Sequence, residues 1–98
     1  MFKKEVFPIQ MIEAAPRKVE FVKGWTLNGF GFYKGKKNWV ATDLLSGCQV
    51  CQCKSRKECI EWIERNKEQI KIARRIREYD LKVLNFYRLL KEEEKEYA

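Results

Sequence analysis

The chain has no histidine, only two prolines and no uninterrupted apolar run longer than a few residues. Each absence removes a class of function. Without histidine, the commonest general base, the Cys–His nucleophile pair and a frequent metal ligand are all missing. Without a long apolar segment, no hydrophobic helix can span a bilayer. The start, "MFKKEVFPIQMIEAAPRK", is basic, but Glu5 and Glu13 interrupt it before the apolar core of a secretory leader can form. A cytoplasmic chain with reduced thiols and no disulfides is the expectation. Phosphate loops are lacking as well. The glycines of "NGFGFYKG" are separated by aromatics and no helix pattern follows, so the stretch reads as a hairpin.

What remains is enough for one folded domain. With 98 residues, 45% hydrophobic and 13% aromatic, the chain can bury a single modest core. Its net charge of +7 is unevenly placed. Met1–Lys57 hold 11 basic and 4 acidic residues, whereas Glu58–Ala98 hold 10 of each. Within that second part, positive charge concentrates over 65–91 and the end reads "EEEKE". Such asymmetry points to an anionic partner, of which nucleic acid is the commonest.

Pro8 and Pro16 bound an N-terminal arm, residues 1–16, in which Ile9–Ala15 reads as a helical turn or an edge strand. Residues 17–54 read as an antiparallel sheet. "RKVEFVKGWTL" ends at Asn28-Gly29, a two-residue hairpin signal because both residues tolerate positive φ. "FGFYK" and "NWVATD" follow as strands, then Asp43–Gly47 as a type I turn with its glycine left-handed, then "CQVCQC". Ser55-Arg56-Lys57-Glu58 has the form of a capping box, and no glycine or proline follows Gly47, so 55–95 reads as helical. The apolar stripe changes direction along it. Cys59, Ile63 and Ile70 share one face, whereas Ile72, Ile76, Tyr79, Val83, Phe86 and Leu90 form another at 4-3-4-3-4 spacing. One straight helix cannot press both against a single surface, so either the helix breaks near 66–69 or one continuous helix serves the sheet first and another helix later. The second stripe has the spacing of a helix–helix seam and suggests pairing, within the chain or in a homodimer. The alternative is that the last helix folds back onto its own sheet. The fold class is therefore α+β: a three- to four-stranded antiparallel meander packed on a helix, followed by an amphipathic C-terminal helix.

All four cysteines lie within twelve residues, as Cys48-x2-Cys51-x-Cys53-x5-Cys59. Four thiolates suit zinc, but three observations oppose that reading, the first being that the cysteines form one compact run instead of two separated knuckles. Cys48 points to the opposite side of a strand from Cys51 and Cys53, and no glycine after Gly47 helps the backbone to turn. Cys59 shares a face with Ile63, where a small buried side chain fits. Core or interface packing is expected, with no metal and no cofactor. Glu58, Glu61 and Glu64 stand at i,i+3 spacing beside Lys57 and Arg65 and read as solvated helix charge. No catalytic site is assigned, and the chain is read as non-enzymatic.

Basic and aromatic residues carry the functional reading. Lys34, Lys36 and Lys37 lie on one hairpin tip, and Lys54, Arg56 and Lys57 surround the helix start. Strands paired in sequence order bring these clusters to one end of the sheet. Tyr33 or Trp39 offers a ring for stacking, while Arg74 and Arg75 add helix charge. Over Phe30–Arg65, "NWVATD" followed by "KSRKECIEWIE" resembles, in topology, the small N-terminal DNA-binding domains of some transposon integrases. That resemblance implies a three-stranded sheet laid in the major groove; the long second helix departs from the pattern. A non-catalytic protein binding nucleic acid, or a nucleic-acid-bound complex, is expected. The alternative is a phage- or mobile-element-type inhibitor or adaptor that binds a host nucleic-acid enzyme, as anti-CRISPR inhibitors do.

Overall fold

The computed structural model describes the backbone of residues 1–11 and 18–97, with side chains up to Glu93. Five antiparallel strands form one open sheet in the order β1 to β5: β1 (Lys3–Met11), β2 (Lys18–Leu27), β3 (Phe30–Lys34), β4 (Trp39–Asp43) and β5 (Gln49–Cys53). The residues read as an arm are thus largely a strand, and the sheet has one strand more than the three or four expected. Pro8 is tolerated because β1 is an edge strand paired only with β2. Residues 12–15 of the proposed helical turn lie outside the described residues.

The turns follow the sequence chemistry. Asn28 and Gly29 both take positive φ, 52° and 85°, and close the β2–β3 hairpin. Gly47 takes φ 70° in the β4–β5 turn, where a Cβ would also meet the methyl groups of Leu84 at 3.1 Å. A register shift at Ala41/Thr42 marks a bulge between β4 and β5.

The sheet is curled. The ring of Phe7 lies against Gly24 and Gly31, each of which leaves room for it. At the two edges, the Gln10 amide donates to the Gly47 carbonyl at 2.7 Å, bringing β1 to the β4–β5 turn. Both faces of the central strands are consequently buried, Phe32 and Ala41 on one and Val40 and Thr42 on the other. Among the described residues, the central strands therefore present no bare face of the kind that the integrase resemblance implies.

Helix α1 (Arg56–Arg65) starts as its cap predicts: the Glu58 amide donates to Ser55 Oγ at 3.2 Å. The Glu58 carboxylate reaches back one residue further than expected, to the Lys54 amide at 3.1 Å. Cys59 and Ile63 press on Phe32, Ala41 and Cys51, and Ile70 of α2 (Lys67–Ile76) completes the cluster. The helix breaks at Asn66, inside the expected window. There the side-chain amide takes the Trp62 carbonyl at 2.7 Å while the backbone amide turns to Ile63. A second break, at Arg77, was not anticipated; its amide is shared between the Ala73 and Arg74 carbonyls.

Helix α3 (Glu78–Tyr97) returns to the chain's own sheet. Its inward face is Asp80, Leu84 and Arg88, one turn apart, not the apolar stripe read from the sequence. Leu84 is fully buried against Gly47, Gln10 Nε2 donates to the Asp80 carbonyl, and Arg88 donates to the Leu44 carbonyl. Ile72, Ile76, Tyr79, Phe86 and Leu90 are exposed, and Val83 is half-buried. Among the described residues, no helix is long and apolar enough to cross a membrane.

Candidate nucleic-acid interface

The strand register assembles the basic cluster. Lys34 pairs with Trp39 and Trp39 with Cys53, so the β3–β4 turn and the β5–α1 turn share one end of the sheet. Lys36 and Lys37 project from the first turn, Lys54 from the second and Lys57 from the first turn of α1, and all four are exposed. Trp39 joins the two: Lys34 Nζ lies 5.8 Å and the Arg56 guanidinium 5.3 Å from its ring.

Arg56 is the organising side chain. It also stands 4.5 Å from the Phe2 ring and 5.1 Å from Trp25, and Trp25 and Trp39 pack at 5.6 Å. Three aromatic rings around one guanidinium fix its position through cation–π attraction and leave its charge without a carboxylate partner. Among the described residues, none of Lys34, Lys36, Lys37, Lys54, Arg56 and Lys57 is in an ion pair with a carboxylate. The sequence reading missed Phe2, because it treated the first residues as an arm. Its signal was alternation: Phe2 and Lys4 share a face, and Lys4 pairs with Trp25.

Three predicted site residues do not join this cluster. Tyr33 pairs with Val40 and lies on the opposite sheet face from Trp39, tilted against Phe7 at 6.2 Å. Burial, helped by the nearby Glu20 charge, raises its phenol pKa. Arg74 sits at the other end of β4, where its Nε and Nη2 each donate to the Asp43 carboxylate at 2.9 Å. That carboxylate is buried and also accepts from the Leu45 amide and the Ser46 hydroxyl. The bidentate pair ties the β4–β5 turn to α2; its charge is consumed inside the fold. Arg75, its exposed neighbour on α2, follows Arg74 away from the sheet-end cluster.

Directly beneath the basic turns lie three of the four cysteines. The sulfurs of Cys51, Cys53 and Cys59 are all within 4.8 Å of one another, two from β5 and one from the first turn of α1. Cys48 is apart, its sulfur facing the Ser46 carbonyl and the Asp80 carboxylate. The expected opposition of Cys48 to Cys51 and Cys53 therefore holds, but it does not prevent the other three from converging. Burial, reinforced by the neighbouring sulfurs, pushes the Cys51 thiol far up and the Cys59 thiol up to about 11. Cys59 donates to the Trp39 carbonyl at 3.7 Å.

No protein-family model, curated protein or solved structure matches the chain.

Proposed function

We propose that the protein binds nucleic acid, or a nucleic-acid-bound complex, without catalysis, through the sheet-end face of Lys34, Lys36, Lys37, Lys54, Arg56 and Lys57. The observation that supports it is the contrast in pairing: these six cations share one end of the sheet and, among the described residues, none is ion-paired with a carboxylate, whereas Arg74 and Arg77 are. Lysines on exposed turns neutralise phosphates and release their counterions, which gives affinity that falls with salt. Trp39, half-buried beside Arg56 and Lys34, is the ring of this face that would meet a base or sugar.

The test is binding of labelled duplex and single-stranded oligonucleotides at low salt. Simultaneous reversal of four of its five exposed lysines, Lys36→Glu, Lys37→Glu, Lys54→Glu and Lys57→Glu, is expected to abolish measurable binding. Arg56 is left alone because its removal would also loosen three aromatic rings. Absence of affinity for either strand form in the unaltered protein sinks the proposal.

A second reading rests on a different surface. Ile76, Tyr79 and Phe86 are 79%, 66% and 59% exposed along α2 and α3, which favours a protein partner on that side. An inhibitor or adaptor of a nucleic-acid enzyme, or a homodimer paired through these helices, fits that stripe. Ile76→Asp with Phe86→Asp would abolish such an interaction and leave oligonucleotide binding intact.

A further inference from the structure

We propose that Cys51, Cys53 and Cys59 form a three-thiolate site for one soft metal ion, Cu(I) or Zn2+. The proposal is independent of nucleic-acid binding and rests on side-chain convergence. Two of the cysteines are i and i+2 on β5 and therefore share a face; Cys59 rises to meet them from α1, which the Ser55 cap fixes in place. The mutual sulfur separations, within 4.8 Å, need to close by only about 1 Å. A tetrahedral site with Zn–S near 2.3 Å has sulfurs about 3.8 Å apart.

Donor type restricts the ion. The chain has no histidine, and among the described residues no carboxylate joins the group, so the donor set is sulfur alone. Thiolates select Cu(I) and Zn2+ over hard cations. Three protein donors complete a trigonal Cu(I) site, whereas Zn2+ would keep a fourth position for water or an outside ligand. Cys53 is only half-buried and gives the route of entry. On binding, each thiol loses its proton to solvent as its S–metal bond forms, with no change of oxidation state. The ion would also link the end of β5 to the first turn of α1, closing the segment that carries Lys54, Arg56 and Lys57.

The experiment uses the full chain, fully reduced and free of oxygen. It competes for Zn2+ held by a chromogenic chelator and, separately, for Cu(I) held by a chelator specific to it. One equivalent of one ion is expected to transfer, with an ultraviolet sulfur-to-metal charge-transfer band and a rise in melting temperature. Cys53→Ser should lower the affinity at least tenfold, and Cys48→Ser should leave it unchanged. Because Cys51 and Cys59 are buried, their variants can fail by misfolding; the half-exposed Cys53 decides the matter, with far-ultraviolet circular dichroism confirming the fold. Both chelators remaining loaded overturns the proposal, as does equal loss in Cys48→Ser and Cys53→Ser. Transfer of one equivalent of Zn2+ alone or of Cu(I) alone to the protein supports it and identifies the ion.

Discussion

The sheet end and the helices carry similar side chains in different electrostatic states. On the helices, Lys67 pairs with Glu64 and Lys71 with Glu68, each one turn away, while Arg74 and Arg77 reach buried carboxylates of Asp43 and Asp80. At the sheet end, six cations meet aromatic rings or solvent. The comparison teaches that a basic residue's value for recognition depends on its neighbours. Helical periodicity supplies acids at i,i+3 spacing, whereas a turn between strands supplies none unless the sequence places one there. Among the described residues, the six sheet-end cations thus have no ion-paired carboxylate, whereas Lys67, Lys71, Arg74 and Arg77 are neutralised in place.

The largest effect that would break this comparison is on stability. Asp43→Ala leaves the Arg74 guanidinium half-buried without its counter-charge and strips the β4–β5 turn of two acceptor contacts. A loss of about 3–5 kcal/mol is expected in chemical denaturation. Lys36→Ala, at the other end of the sheet, should stay within about 0.5 kcal/mol. Comparable costs at the two sites would mean that the difference in pairing has no energetic content.

A smaller effect, of about 1–3 kcal/mol, sharpens what lies under the basic turns. The folded Cys51 and Cys59 thiols have raised pKa values, so their contribution to stability is fully present below the unfolded thiol pKa of about 8.5. As pH rises through that value, unfolded thiols ionise and folded ones do not, and stability falls until about pH 11, where Cys59 ionises in place. Cys59→Ala should make that alkaline decline shallower in denaturation curves measured from pH 8 to 11. An unchanged decline would show that the thiols are not held neutral by the fold.

Much of the fold was legible because local chemistry and tertiary demand agree. Asn28-Gly29, Gly47 and the Ser55 cap each have a backbone requirement that few residues meet. Pro8 misled because a proline marks a boundary in a central strand and is harmless on an edge. The inward face of α3 was hidden because Asp80 and Arg88 are charged, and a count of apolar residues passes over a stripe held by hydrogen bonds. The thiol triad was hidden because Cys48, which points away, shares the same short run of sequence, and Cys59 joins from a helix instead of the strand. For the candidate interface, strand order was sufficient to unite the two basic turns. It could not reveal that Arg74 finds Asp43 across 31 residues of sequence, nor that Phe2 returns to face Arg56.

The decisive measurement compares two double reversals that change the net charge equally. Lys36→Glu with Lys37→Glu alters unpaired turn cations; Lys67→Glu with Lys71→Glu alters cations already paired on α2. Oligonucleotide affinity is measured for both across a range of salt concentrations. The turn variant should lose affinity at least tenfold and flatten the dependence of log K on log salt by about 0.9 for each phosphate contact removed. The α2 variant should lose much less and keep the slope of the unaltered protein. Equal losses in the two variants would show that net charge alone governs binding, and that the sheet end is no interface.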